Sequence, residues 1–126
     1  MTVLRSYGWV AYDASGRPAA YIGGDVYDRW VTYRGEGPDG PLLSGEDARV
    51  SMALTCLVDP TRRRQGHGRA AITTVLAHPG LRDVRAFYCG IDAGNHPSRR
   101  CATSAGFELL DPTPDFEEIV YYRYAR

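Results

Sequence analysis

At 126 residues the chain suffices for one domain with a real core and is too short for two. Fifteen arginines balance fifteen acidic side chains, which argues against a nucleic-acid partner, and the absence of lysine excludes Schiff-base and lysine-nucleophile chemistry. No apolar run approaches membrane-spanning length, and the first residues lack a basic start followed by an apolar core, so a soluble, cytoplasmic protein is expected.

In chain order, residues 8–13 alternate loosely and stop at the turn signal Asp13-Ala-Ser-Gly16. Residues 18–27 read as a second strand, with Gly23-Gly24 predicting a bulge. Residues 34–46, rich in Gly, Pro and polar side chains, predict a surface loop. Residues 50–58 are apolar on both faces, as in a central strand. Residues 68–77 predict a helix with Ala71, Ile72, Val75 and Leu76 in one stripe, stopped by His78-Pro79-Gly80. Residues 84–92 form another buried strand, and a short helix follows. Residues 107–110 and 116–124, separated by Asp111-Pro-Thr-Pro114, predict a terminal hairpin. Cys56, Cys89 and Cys101 have no metal-ligand spacing and read as buried, reduced thiols, so no metal site is expected.

Chemistry concentrates between residues 58 and 76. A strand end, the basic run Arg62-Arg63-Arg64, and Gly66-x-Gly68 lead directly into the helix. A glycine-loosened turn at a helix N-terminus gathers free backbone N–H groups at the positive end of the helix dipole, which makes an anion site suited to phosphate. Arg69 follows Gly68 where a Walker loop needs Lys, and the three-glycine Rossmann spacing is absent. A second segment, Asn95-His-Pro-Ser98 leading to Gly106-Phe107, has a capping Asn, a first-turn Pro and a Gly suited to ending the helix.

The pattern Val58-x-Pro60, Arg63-x-x-Gly66-x-Gly68 resembles motif A of the GNAT superfamily of acetyl-CoA-dependent N-acyltransferases, and Asn95-x-x-Ser98 with Gly106-Phe107 resembles its motif B. The resemblance implies an α/β fold: a mixed, mostly antiparallel sheet, the CoA-loop helix, a short motif-B helix and a terminal hairpin in a single domain, residues 1–126. It implies acetyl-CoA as co-substrate, held by the backbone of Leu57 and Val58, by Arg63, Arg64, Gln65, Gly66, His67, Gly68 and Arg69, and by Asn95 and Ser98. Arg99 or Arg100 would reach a CoA phosphate.

Two departures stand out. The family usually opens with a strand and two helices that wall the acceptor side of its cleft, whereas the first element here is already the following hairpin. A homodimer or partner chain completing that wall is the expectation. Met52, Gly90 and Ala102 occupy positions where relatives carry acid or base side chains. Replacements named on the cleft strand are Asp92 and Tyr88, one face of a strand by the period-two rule, with Asp25 and Tyr27 sharing a face likewise. Gly90 and Ala102 would leave room for a larger acyl group, and Tyr121, Tyr122 and Tyr124 would build an interface. The expected function is transfer of an acetyl group to a primary amine of a small molecule or peptide. The alternative is a CoA-binding interaction or regulatory domain with little catalysis of its own.

Overall fold

The computed structural model describes residues 1–63 and 65–126, the side chains of residues 34 and 36 excepted. Strands β1 (Val3–Tyr12), β2 (Pro18–Tyr27), β5 (Ser51–Val58), β6 (Ala86–Asp92), β7 (Glu108–Leu109) and β8 (Ile119–Ala125) form one sheet in the order β1-β2-β5-β6-β8-β7. Every neighbour is antiparallel except β5 and β6. Helices α1 (His67–Leu76) and α2 (His96–Ser104) follow β5 and β6, and both lie on one face of the sheet.

That helix-covered face holds the core. On β5 the period of two sends Met52 and Leu54 into it; on α1 Ala71, Ile72 and Val75 meet them at helical spacing. Phe87, Met52, Leu81, Val26, Val84 and Val120 are the large side chains removed from solvent almost entirely. Burying one the size of Phe87 contributes about 1.5–3 kcal/mol. The opposite face is bare over most of its area, and Val10, Tyr21 and Leu57, registered across β1, β2 and β5, lie exposed on it in one row.

Helix ends follow from local chemistry. α1 stops at Ala77, whose N–H bonds Thr73 O; His78 then accepts from Gly80 N, and Pro79 opens a 3-10 turn that buries Leu81. The Arg126 guanidinium donates to the carbonyl of Leu76 (2.5 Å), which the helix end leaves open, and to those of Leu81 and Val84 (3.0 Å) in the segment that follows. Asn95 caps α2 by accepting from Ser98 N at 3.3 Å, and Gly106 takes φ +95° just past its end.

Three sequence expectations need correction. Residues 34–46 are not a loop: β3 (Trp30–Gly37) and β4 (Gly40–Asp47) form a separate two-stranded hairpin. Its turn carries Pro38-Asp39-Gly40, a turn signature hidden within the Gly/Pro-rich composition, with Gly40 at φ +109°. Trp30 anchors the hairpin to the sheet by stacking on Tyr88, ring centroids 4.4 Å apart and 5° from parallel, and Tyr27 meets Trp30 edge-on at 5.9 Å.

Gly23-Gly24 is not a bulge either, since β2 pairs with β5 without a shift from Ala20 to Tyr27. Gly24 is needed for another reason: a Cβ there would sit 1.7 Å from the Ala53 carbonyl oxygen. Nor do the three C-terminal tyrosines share a surface. Tyr122 and Tyr124 turn into the core against Arg99 and against Phe87 and Phe107, while Tyr121 points to the bare face.

Candidate active site

The site begins where β5 and β6 part. They pair in parallel only from Ser51–Ala86 to Ala53–Tyr88. Beyond that, Leu54–Val58 and Cys89–Asp92 have no mutual partners, so alternate backbone groups on the β5 edge face an open slot. The slot is flanked by β2 behind β5 and by β8 behind β6, which fix both lips.

Helix α1 opens at the mouth of this slot. Gly66, its N-cap, is left-handed at φ +80°, and among the described residues no side chain caps the first turn. The first-turn N–H groups are therefore available to an anion. Gly68 is buried, and a Cβ there would lie 3.2 Å from Val58 Cγ2 and 3.3 Å from Cys101 Sγ. Glycine at this position lets α1 seat closely against the end of β5 and against α2. A phosphate-bearing ligand reaching into the slot fits this cradle on the strength of the bare first turn alone.

The named cofactor residues do not behave alike. Val58 packs against Gly68, whereas the Leu57 side chain points to the bare face, so only their backbone lines the slot. Arg63 follows the 3-10 turn Pro60–Arg62 in extended conformation; Arg64 lies outside the described residues. Gln65 Oε1 lies 3.2 Å from His67 Nε2, so these side chains bind each other across Gly66. Arg69 is exposed on the first turn of α1, near Cys101. Asn95 and Ser98 meet as cap and capped residue at the start of α2.

Two arginines of the basic clusters are already engaged. Arg62 pairs with Asp13 in the β1–β2 turn, whose carboxyl is held far below the usual range by Ser15, the Arg17 N–H and Arg62. Arg99 donates to Tyr122 Oη and the Ala93 carbonyl, both at 2.9 Å, and so locks α2 to β8 and the β6 end. Of the two arginines expected at a CoA phosphate, Arg99 thus has two donors engaged within the chain, and Arg100 is exposed beside it.

Met52 and Ala102, at positions that could have held acid or base groups, are buried in the apolar core. Tyr88 is buried under Trp30 with its hydroxyl 3.5 Å from Asp47 Oδ2. Burial and then the Asp47 carboxylate push that hydroxyl's pKa up, while Arg49 holds Asp47 down at about 2. Asp92 stands exposed at the far end of β6, one carboxylate oxygen accepting from Gly94 N at 2.9 Å. Asp25 faces Ser6 Oγ at 2.5 Å on the bare side, and Tyr27 belongs to the Trp30 cluster. The period-two rule placed Tyr88 and Asp92 on one face; it did not show that the β3–β4 hairpin covers the first and leaves the second open.

Cys56, Cys89 and Cys101 come from β5, β6 and α2 to the helix side of the slot, with their side chains against the core cluster. Burial, reinforced by the neighbouring thiols, pushes Cys56 up to about 11 and Cys89 up to about 12 from an ordinary 9.0; Cys101 is raised less strongly, with Arg69 opposing. Because folding raises these values, the stability they contribute is intact below the ordinary thiol pKa and fades as pH climbs through 11 and 12. Thermal melts from pH 7 to 10.5 should show a declining midpoint, and Cys89→Ala should flatten that decline. Iodoacetamide at pH 8 should label Cys101 first, with Cys56 slower than an unhindered thiol by about 100-fold because so little is thiolate. Equal labelling of all three thiols would contradict this placement. Among the described residues, no group of three His, Cys, Asp or Glu is placed to hold a metal, and no helix is long and apolar enough to cross a membrane.

Comparison with known proteins bears on the same features. An N-acetyltransferase from Bacillus subtilis (strain 168), YfmK, itself uncharacterised, is 30% identical over 99 residues, which are 76% of this chain and 65% of that protein. The GNAT domain of S. lividans PAT superposes with a TM-score of 0.68 at 17% identity, over 96% of this chain and 61% of that one. YncA of Salmonella typhimurium, described as a putative acetyltransferase and solved with acetyl-CoA, gives 0.64 at 15% identity, over 97% and 65%. The chain thus spans somewhat less than two thirds of the length of these relatives. The model of the acetyltransferase (GNAT) family matches residues 3–107, a stretch that takes in the splayed strands, the α1 cradle and the Asn95-capped helix, and the chain belongs to that family.

Proposed function

We propose that this protein moves an acetyl group from acetyl-CoA to a primary amine of a small molecule or peptide by direct attack. The observation that carries the reading is the uncapped α1 N-terminus, with Gly66 left-handed and Gly68 wedged against Val58, opening onto a parallel strand pair that parts after Ala53 and Tyr88. The pyrophosphate belongs at the first turn of α1, with Arg63 and Arg69 beside it. The pantetheine arm runs back along the unpaired edge of β5, through the backbone of Val58 and Leu57. This brings the thioester toward the closed end of the slot.

The amine approaches from the bare face. Its nitrogen bonds to the acyl carbon, free N–H groups of β5 receive the developing oxyanion, the C–S bond breaks, and CoA departs as thiolate. The amine's proton passes to Asp92, directly or through water, in this reading; Tyr88 could return one to the thiolate only if Trp30 moved aside. That cover over Tyr88, with Met52 and Ala102 buried and apolar, favours a second reading in which the chain binds CoA and does little catalysis of its own.

Millimolar acetyl-CoA is expected to raise the melting temperature, whereas ATP at the same concentration leaves it in place. Release of free thiol across a panel of amines then distinguishes enzyme from binding domain. No thermal shift with acetyl-CoA would overturn both readings, and a shift without thiol release on any amine would favour the second.

A further inference from the structure

Gly90 lacks a side chain, yet the space above it is not empty. Its registered partner on β8, Tyr121, crosses over it: a Cβ on Gly90 would lie 3.1 Å from Tyr121 Cε1 and 3.1 Å from Ile119 Cγ2. Gly90 stands two residues beyond Tyr88, the last residue of β6 paired with β5, so the Tyr121 ring lies beside the point where the slot opens. On the opposite lip Thr55 is two residues beyond Ala53, and its partner Gly23 is covered by the Tyr21 ring, whose hydroxyl would lie 2.5 Å from a Cβ there. The Tyr21 ring also lies over Gly8 of β1, away from the slot, so on the bare face it is Tyr121 over Gly90 that narrows the slot beside its closed end.

The helix side is packed with core side chains: Met52, Phe87 and Ala102 are essentially inaccessible, and the partly buried Cys56, Cys89 and Cys101 pack against the same cluster along the slot. The more open path for an acyl tail longer than acetyl is on the bare face, past Tyr121. Tyr121 is 43% exposed and outside the core, so removal of its ring opens space without emptying a packed interior.

We propose that Tyr121, lying across Gly90 where β5 and β6 part, sets the acyl-chain length that the protein accepts. This rests on the reading of the slot as the acyl-CoA site. The wild type binds acetyl-CoA in preference to hexanoyl-CoA because the ring occupies the path of the additional methylenes. Truncation of the ring removes the obstacle and provides apolar surface for the tail.

Calorimetric titration of acetyl-CoA and hexanoyl-CoA into the wild type, Tyr121→Ala, Tyr121→Leu and Tyr121→Phe tests this, with circular dichroism confirming each variant's fold. Tyr121→Ala should shift the hexanoyl-to-acetyl affinity ratio toward hexanoyl by about tenfold or more. Its affinity for acetyl-CoA should change by less than about threefold, well under the tenfold expected for the added chain. Tyr121→Phe should keep the wild-type ratio, since the ring and not the hydroxyl is the obstacle. Tyr121→Leu should fall between them, and it carries the test if Tyr121→Ala does not fold. A ratio unchanged in the truncated variants that still bind acetyl-CoA overturns the role of Tyr121 and leaves the cleft intact. Failure of the wild type to bind either ester overturns the cleft reading itself and the proposal with it.

Discussion

Replacing Gly68 with aspartate is expected to weaken acetyl-CoA binding by at least about 100-fold while leaving the protein folded. Two effects combine at this position. A Cβ would press on Val58 Cγ2 at 3.2 Å and Cys101 Sγ at 3.3 Å, so α1 has to lift slightly from the end of β5. The carboxylate then stands in the first turn of α1, where its charge opposes a phosphate at the same N–H groups. For the fold, the helix N-terminus offsets only part of the cost of placing a carboxylate at this buried position. Some stability is therefore lost as well, and calorimetry reads the lost titration on protein that circular dichroism shows to be folded.

Gly66→Val reaches the same end by another route. Nothing lies within 4 Å of a Cβ at Gly66, so its effect comes from the left-handed φ of +80°, which a β-branched side chain resists by about 1–2 kcal/mol. Retained affinity in both variants would place the ligand elsewhere.

Gly24→Ala should be the most damaging single methyl in the chain, lowering stability by about 3 kcal/mol or more. The methyl would overlap the Ala53 carbonyl oxygen at 1.7 Å and approach the carbonyl carbon at 2.9 Å, and both belong to the backbone, which cannot rotate away. Gly16→Ala is the matched control. Its φ of +82° also disfavours a side chain, but nothing lies within 4 Å of the added carbon, so about 1 kcal/mol is expected. Urea denaturation of the two variants separates close approach from backbone conformation. Ala53 is also the last β5 residue paired with β6, so Gly24→Ala should distort the slot and weaken acetyl-CoA along with stability. Equal losses for both variants would mean that β2 and β5 are not in such close contact at Gly24.

These expectations rest on two different kinds of information. The helices, their ends and the glycine turn before α1 were readable from local order. Asn95, Pro97 and Gly106 act within a few residues of themselves, and Gly66-x-Gly68 before an apolar stripe needs only one turn of chain to predict an anion site. The first strand showed a loose alternation and the central strands runs apolar on both faces, which are likewise local signals. The hairpin of β3 and β4 escaped because its Gly and Pro content resembles a loop, and its place depends on one aromatic stack between Trp30 and Tyr88, fifty-eight positions apart in the chain.

The sequence by itself carried the GNAT-family pattern and a basic, glycine-flanked helix N-terminus, since the residues carrying that information sit next to one another. Only the tertiary structure decided which of the named side chains are free to act. Arg62 is taken by Asp13 and Arg99 by Tyr122, Tyr88 is covered by Trp30, and Gly90 is roofed by Tyr121. The Arg99–Tyr122 and Gly90–Tyr121 contacts depend on β8 lying beside β6, Arg62–Asp13 on β5 lying beside β2, and the cover over Tyr88 on where the β3–β4 hairpin docks. Strand order is a long-range choice made by the burial of the whole sheet face, and no short stretch of the chain encodes it.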